Sequence, residues 1–86
     1  MNKIKKYTVM QKMFDVEKNL IENISDPKTL IKTLKRYYAD GLEYIKEKNS
    51  DAFQYSNRLY QVTIDRMKAL NVNTQDYPNT LEALMN

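Results

Sequence analysis

Apolar residues recur at helical spacing in three successive stretches of this chain. Between Ile4 and Ile24, the residues Met10, Met13, Phe14, Leu20, Ile21 and Ile24 fall within about a third of the circumference at 100° per residue, which predicts an amphipathic helix. The stretch stops at Ser25-Asp26-Pro27. Asp26 suits an N-cap, and Pro27 suits the first helical position, where a missing N–H removes no bond. The residue before a proline also avoids helical angles, so a helix break is expected here.

The second stretch runs from Pro27 to about Lys48. Leu30, Ile31, Leu34, Tyr37, Tyr38, Leu42 and Ile45 share one face, while Lys32, Arg36, Asp40, Glu43 and Glu47 form a solvated opposite face. Gly41 lies on the apolar face. A mid-helix glycine costs about 1 kcal/mol relative to alanine. Either a neighbouring helix approaches closely there or the helix bends. The third stretch opens at Asn49-Ser50-Asp51 and reaches about Leu70. Phe53, Ser56, Tyr60, Thr63, Met67 and Leu70 alternate steps of three and four, a coiled-coil-like seam flanked by Leu59 and Ile64.

Residues 71–79 read as a loop. Asn79, with Glu82 three positions on, predicts a capping box before one apolar turn over residues 80–85, built from Leu81, Leu84 and Met85. Such a turn is too short to be stable alone. Ser-Asp occurs at 25–26 and 50–51, which two helices with the same start signal explain without a duplication. The expected fold is therefore all-α, one domain over residues 1–86. It is a small three-helix antiparallel bundle with a short C-terminal helical turn, the second and third helices forming its tightest pair.

With 86 residues, the chain buries only about 60–65% of its unfolded surface, so the core is thin. Cysteine is absent, and neither a disulfide nor a thiolate metal site can reinforce it. Small helical chains of this kind often complete their cores by dimerising or docking. A homo-oligomer is expected.

The net charge of +3 matters less than its placement. Lys3, Lys5, Lys6 and Lys12 precede the first acid, Asp15, and residues 1–8 read as a basic N-terminal arm. Such an arm either contacts phosphates or an anionic membrane surface, or is simply solvated. No apolar run matches a secretory signal or the ~20 residues of a membrane span, so a soluble, cytoplasmic chain without integral membrane association is expected. Abundant Lys, Asn, Ile and Tyr are what AT-rich coding gives, which hints at a bacterium, phage or virus.

No catalytic equipment is evident. The chain has no His, Cys or Trp and a single Gly. It has no Gly-rich phosphate loop, zinc-ligand cluster, nucleophile elbow or EF-hand loop. No cofactor, metal or catalytic residue is expected, and the chain does not read as an enzyme. A helix-turn-helix around Lys48–Asp51 would leave Arg58, Arg66 and Lys68 spread round the cylinder rather than gathered at its start.

Glu17 stands out instead. Its helical neighbours Met13, Phe14, Leu20 and Ile21 are all apolar. A carboxylate there must find a partner, stay at a wet edge or be protonated. It either bonds a tyrosine hydroxyl or a cation of another helix, or acts as a polar element in an interface. Tyrosines are frequent in contact hot spots, and methionines adapt to partner surfaces as readily as they fill cores. Met10, Met13, Phe14, Glu17, Ile21, Tyr44 and Tyr55 are the candidate protein-contact residues. Lys35-Arg36-Tyr37-Tyr38 sets cations beside aromatic rings that can stack on bases, so Lys35 and Arg36 join Lys3, Lys5, Lys6 and Lys12 as candidate nucleic-acid contacts.

Ser25-Asp26-Pro27 between two helical stretches is similar to the proline-containing turn of type III secretion needle subunits, but the tail from Asn71 to Asn86 does not match that family's polymerising C-terminal helix. Size, basic charge and helical content resemble bacteriocin immunity proteins, without a shared motif. The function expected is that of a small regulatory or accessory protein that binds another protein, in a phage or bacterial conflict setting. The alternatives are a dimeric nucleic-acid-binding accessory protein and an immunity-like protein.

Overall fold

The computed structural model describes the backbone of residues 2–85 and the side chains of residues 9–85. Three helices, α1 (Asn2–Glu22), α2 (Pro27–Lys46) and α3 (Ser50–Ala69), are followed by a 3-10 turn over Leu81–Met85. No strand occurs among the described residues, and the expected all-α bundle is the observed fold. The boundaries of α1 lie two residues ahead of the expected ones at each end.

Local chemistry sets the junctions. The Asp26 carboxylate accepts from the Thr29 hydroxyl at 2.8 Å and from the Lys28 N–H at 3.3 Å, with Pro27 at the start of α2. The Thr29 hydroxyl is the main cause that holds the Asp26 carboxyl below its ordinary range. Asn49, rather than Ser50, caps α3, accepting from the Ala52 N–H at 3.2 Å. That places Asp51 in the first turn, where its charge complements the helix N-terminus.

Both α2 and α3 end in a left-handed residue, Lys48 (φ 56°) and Asn71 (φ 59°). The next amides bond back into the helices, Asn49 N–H to the Tyr44 carbonyl at 2.9 Å and Val72 N–H to the Met67 carbonyl at 2.8 Å. Asparagine tolerates this conformation, whereas lysine carries its full steric cost. Lys48→Gly is therefore expected to stabilise the fold by about 1 kcal/mol. A higher urea midpoint with an unchanged m-value is the check, and a lower midpoint would refute it.

The helices run up, down and up. Glu17 of α1 meets Tyr55 of α3, and Ile24 beyond α1 meets Arg66 further along α3, so α1 and α3 are parallel. The Arg66 Nε donates to the Ile24 carbonyl at 3.0 Å, fastening the α1–α2 turn to α3. α2 and α3 share the most extensive contact, and α1 packs chiefly on α3.

The core centres on α3, where Phe53, Ser56, Leu59, Tyr60, Thr63, Ile64 and Met67 are buried, against Leu30, Leu34 and Tyr37 of α2. Leu42, expected on the inner face of α2, is exposed because it sits at the rim of the apolar arc. The molecule is shallow. Its shortest dimension, 15 Å, accommodates two helical layers and no third, so each helix keeps one side toward solvent.

Gly41 has a specific reason, and it is not a neighbouring helix. A Cβ there would lie 2.8 Å from the Cδ1 of Leu81 and 3.8 Å from the Phe53 ring. The glycine leaves room for Leu81, which is fully buried. Asn57 of α3 secures the same segment. Its Oδ1 accepts from the Leu81 N–H at 2.8 Å, and its Nδ2 donates to Glu82 Oε1 at 3.2 Å. The Tyr60 hydroxyl donates to the Pro78 carbonyl at 2.6 Å. The expected Asn79–Glu82 capping box gives way to these ties. Glu82 turns its carboxylate to Asn57, and its N–H bonds the Thr80 hydroxyl at 2.8 Å.

Candidate interaction surface

α1 carries two apolar lines. Phe14 and Ile21 form the inner one and are buried, at 7% and 3% exposure. Val9, Met13, Val16 and Leu20 form the outer one and are 55%, 53%, 60% and 64% exposed. At 100° per residue the outer four lie within about 60° of each other, and the inner pair sits about 120° further round.

The inner line binds α1 to the bundle through polar as well as apolar contacts. Glu17 Oε2 accepts from the Tyr55 hydroxyl at 3.2 Å and from the Tyr37 hydroxyl at 3.4 Å, joining all three helices at one carboxylate. Arg36 donates to the Tyr37 hydroxyl at 3.1 Å and lies 4.9 Å from that ring's centroid. Phe14 and the Tyr55 ring meet edge to face at 6.4 Å, and the Arg58 guanidinium lies over the Phe14 ring at 4.0 Å. Burial, then the Glu17 charge, pushes the Tyr55 hydroxyl up to about 12. Burial also raises Tyr37, with Glu17 adding to the shift and Arg36 opposing it. A phenol pair that stays protonated is what a carboxylate acceptor needs.

The candidate protein-contact residues thus do not form a single surface. Phe14 and Ile21 belong to the core and Met10 is half-buried; of the seven, Met13 alone lies on the outer line. Glu17 and Tyr55 are bonded to each other, and Tyr44 is half-buried against the core at the far end of α2. Val9, Val16 and Leu20 complete the outer line. The signal for it was present in the sequence as the steps 9-13-16-20, a second seam overlapping the first.

Of the candidate nucleic-acid contacts, Lys12, Lys35 and Arg36 are exposed. The side chains of Lys3, Lys5 and Lys6 lie outside the described residues. Lys35 lines an open cleft of about 290 Å³ with Tyr38, Asp76, Tyr77 and Pro78. Arg36 is turned onto Tyr37 and is not among the residues of that cleft.

Among the described residues no group of three or more His, Cys, Asp or Glu side chains is placed to hold a metal ion. No described helix is long and apolar enough to cross a membrane. No family model, curated protein or solved structure matches the chain.

Proposed function

We propose that this chain is a small, non-enzymatic regulatory or accessory protein that acts by binding protein, and that the outer face of α1 is its contact surface. The observation that carries this is the line Val9–Met13–Val16–Leu20, four large apolar residues more than half exposed on one side of a folded helix. Single exposed apolar residues are ordinary; a contiguous line of four is the mark of a contact face. The setting we propose is the cytoplasm in a phage or bacterial conflict system; the composition that AT-rich coding gives supports the bacterial or phage source alone.

The test is capture from the native host with a tagged chain, half of the lysate treated with nuclease. Retention of the same protein in both halves, lost with Val16→Asp and kept with Lys35→Ala, is the expected result. Capture that Val16→Asp leaves intact would sink the α1 reading. Recovery that vanishes with nuclease and falls steeply with salt would favour the nucleic-acid alternative. The specific support for that alternative is the cleft where Lys35 stands beside Tyr38 and Tyr77.

A further inference from the structure

We propose that the occupant of the outer α1 face is a second copy of the same chain, docked antiparallel across a two-fold axis that passes between Met13 and Val16. This rests on the reading of that face as a contact surface, and names its partner.

The seam is complementary to itself in one direction only. Val9, Met13, Val16 and Leu20 follow the 4-3-4 spacing by which one helix lays its side chains into the gaps of another. Read along α1, they alternate smaller and larger. Antiparallel docking sets Val9 against Leu20 of the second copy and Met13 against its Val16, a smaller residue facing a larger one in every layer. Parallel docking would set each residue against itself.

Charge points the same way. Residues 2–12 hold Lys3, Lys5, Lys6 and Lys12 and no acid, whereas residues 13–22 hold Asp15, Glu17 and Glu22 against the single Lys18. This division opposes the helix's own dipole, which favours acids at its start and bases at its end. α1 has neither an acid in its first turn nor a base in its last. An antiparallel copy reverses the mismatch, because the lysine-rich start of each helix lies beside the acidic, partially negative end of the other. A parallel copy would bring the two lysine-rich ends together. Its one opposite-charge pairing across the seam, Lys12 with Glu17, would draw on a carboxylate already bonded to Tyr37 and Tyr55. The shallow bundle leaves the seam uncovered within one copy, as the exposure of all four residues records.

Sedimentation equilibrium of the purified chain is expected to give a dimer. Val16→Asp should weaken it about 100-fold, as the loss of a central contact does, with an unchanged circular dichroism spectrum because Val16 supports nothing inside the fold. Orientation is read with single cysteines, which the Cys-free chain permits without interference. Under mild oxidation, a mixture of Val9→Cys and Leu20→Cys should form a covalent dimer that neither variant forms alone. Three results would each overturn the proposal: a monomer at every concentration, a dimer indifferent to Val16→Asp, or self-crosslinking of Val9→Cys. A monomer whose host capture still fails on Val16→Asp would remove the second copy while leaving the contact face standing. A monomer that binds anionic vesicles through the same residues would assign the face to a membrane surface instead.

Discussion

Leu81→Ala is expected to destabilise the protein by about 3 kcal/mol, a large share of what a domain this small possesses. Leu81 has no exposed surface and fills the space that Gly41 leaves open, where the Phe53 ring also approaches. No side chain stands at position 41 to close the space once Leu81 is shortened, so the cavity persists. Asn57→Ala acts on the same joint by leaving the buried Leu81 N–H without its acceptor, at about 1–3 kcal/mol. Because both substitutions loosen one segment, the double variant should fall short of their sum. Urea unfolding of the three variants is the check. A Leu81→Ala midpoint close to the parent's would show that the tail contributes little to the core. Gly41→Ala sets two effects against each other. The helix gains about 1 kcal/mol of propensity, while the new methyl displaces the flexible end of Leu81. A small net change in stability, with the tail's amides exchanging faster, is the expected outcome.

Stability is also expected to fall steeply in alkali. The hydroxyls of Tyr55 and Tyr60 are pushed up to about 12, each chiefly by burial, and Tyr37 is raised as well. The native state holds these phenols protonated after the unfolded chain, with its ordinary value near 10, has lost the protons. Their contribution is complete below pH 10 and disappears as pH rises from 10 towards 12. Tyr60, whose side chain is buried, should account for the larger part of the decline across that window, and the partly buried Tyr55 for less, because water screens both hydroxyls. Urea midpoints between pH 8 and 11.5, followed together with phenolate absorbance, measure this directly. Tyr55→Phe should flatten part of the decline. A midpoint constant through pH 11 would mean that these hydroxyls ionise freely in the folded protein.

Local chemistry was legible where it had no competitor. Asp26-Pro27 names its own junction, since the capping oxygen and the proline need nothing beyond the next three residues. The α3 seam was equally plain, because that helix has one broad apolar face, which α1 and α2 cover together. α1 was harder for a physical reason. Met13 and Leu20 sit at the edge of the outer line nearest the inner one, and a window a third of the circumference wide takes them in with Phe14 and Ile21. Which line turns inward is decided by Tyr55, Arg58 and Tyr37, residues far away in sequence. Glu17 was visible as a carboxylate in need of a partner, and a tyrosine hydroxyl of another helix was one of the two readings. The Asn79–Glu82 pairing failed for the opposite reason, as a tertiary donor, Asn57, outbid a local one.

The uneven packing of the three helices has a consequence for the order in which they come apart. α2 and α3 are joined by a three-residue gap and share the broadest contact, which is the arrangement that closes early and opens late. α1 is held by one row, from Phe14 through Glu17 and Ile21 to the carbonyl that Arg66 grips. Its release breaks a few bonds around a single pivot at Ile24–Asp26 and leaves the hairpin behind it intact. Release of α1 is therefore the first opening expected of the folded protein, and native-state amide exchange would register it as a protection step between α1 and the rest. A helix that detaches as a unit is also one that two molecules can trade.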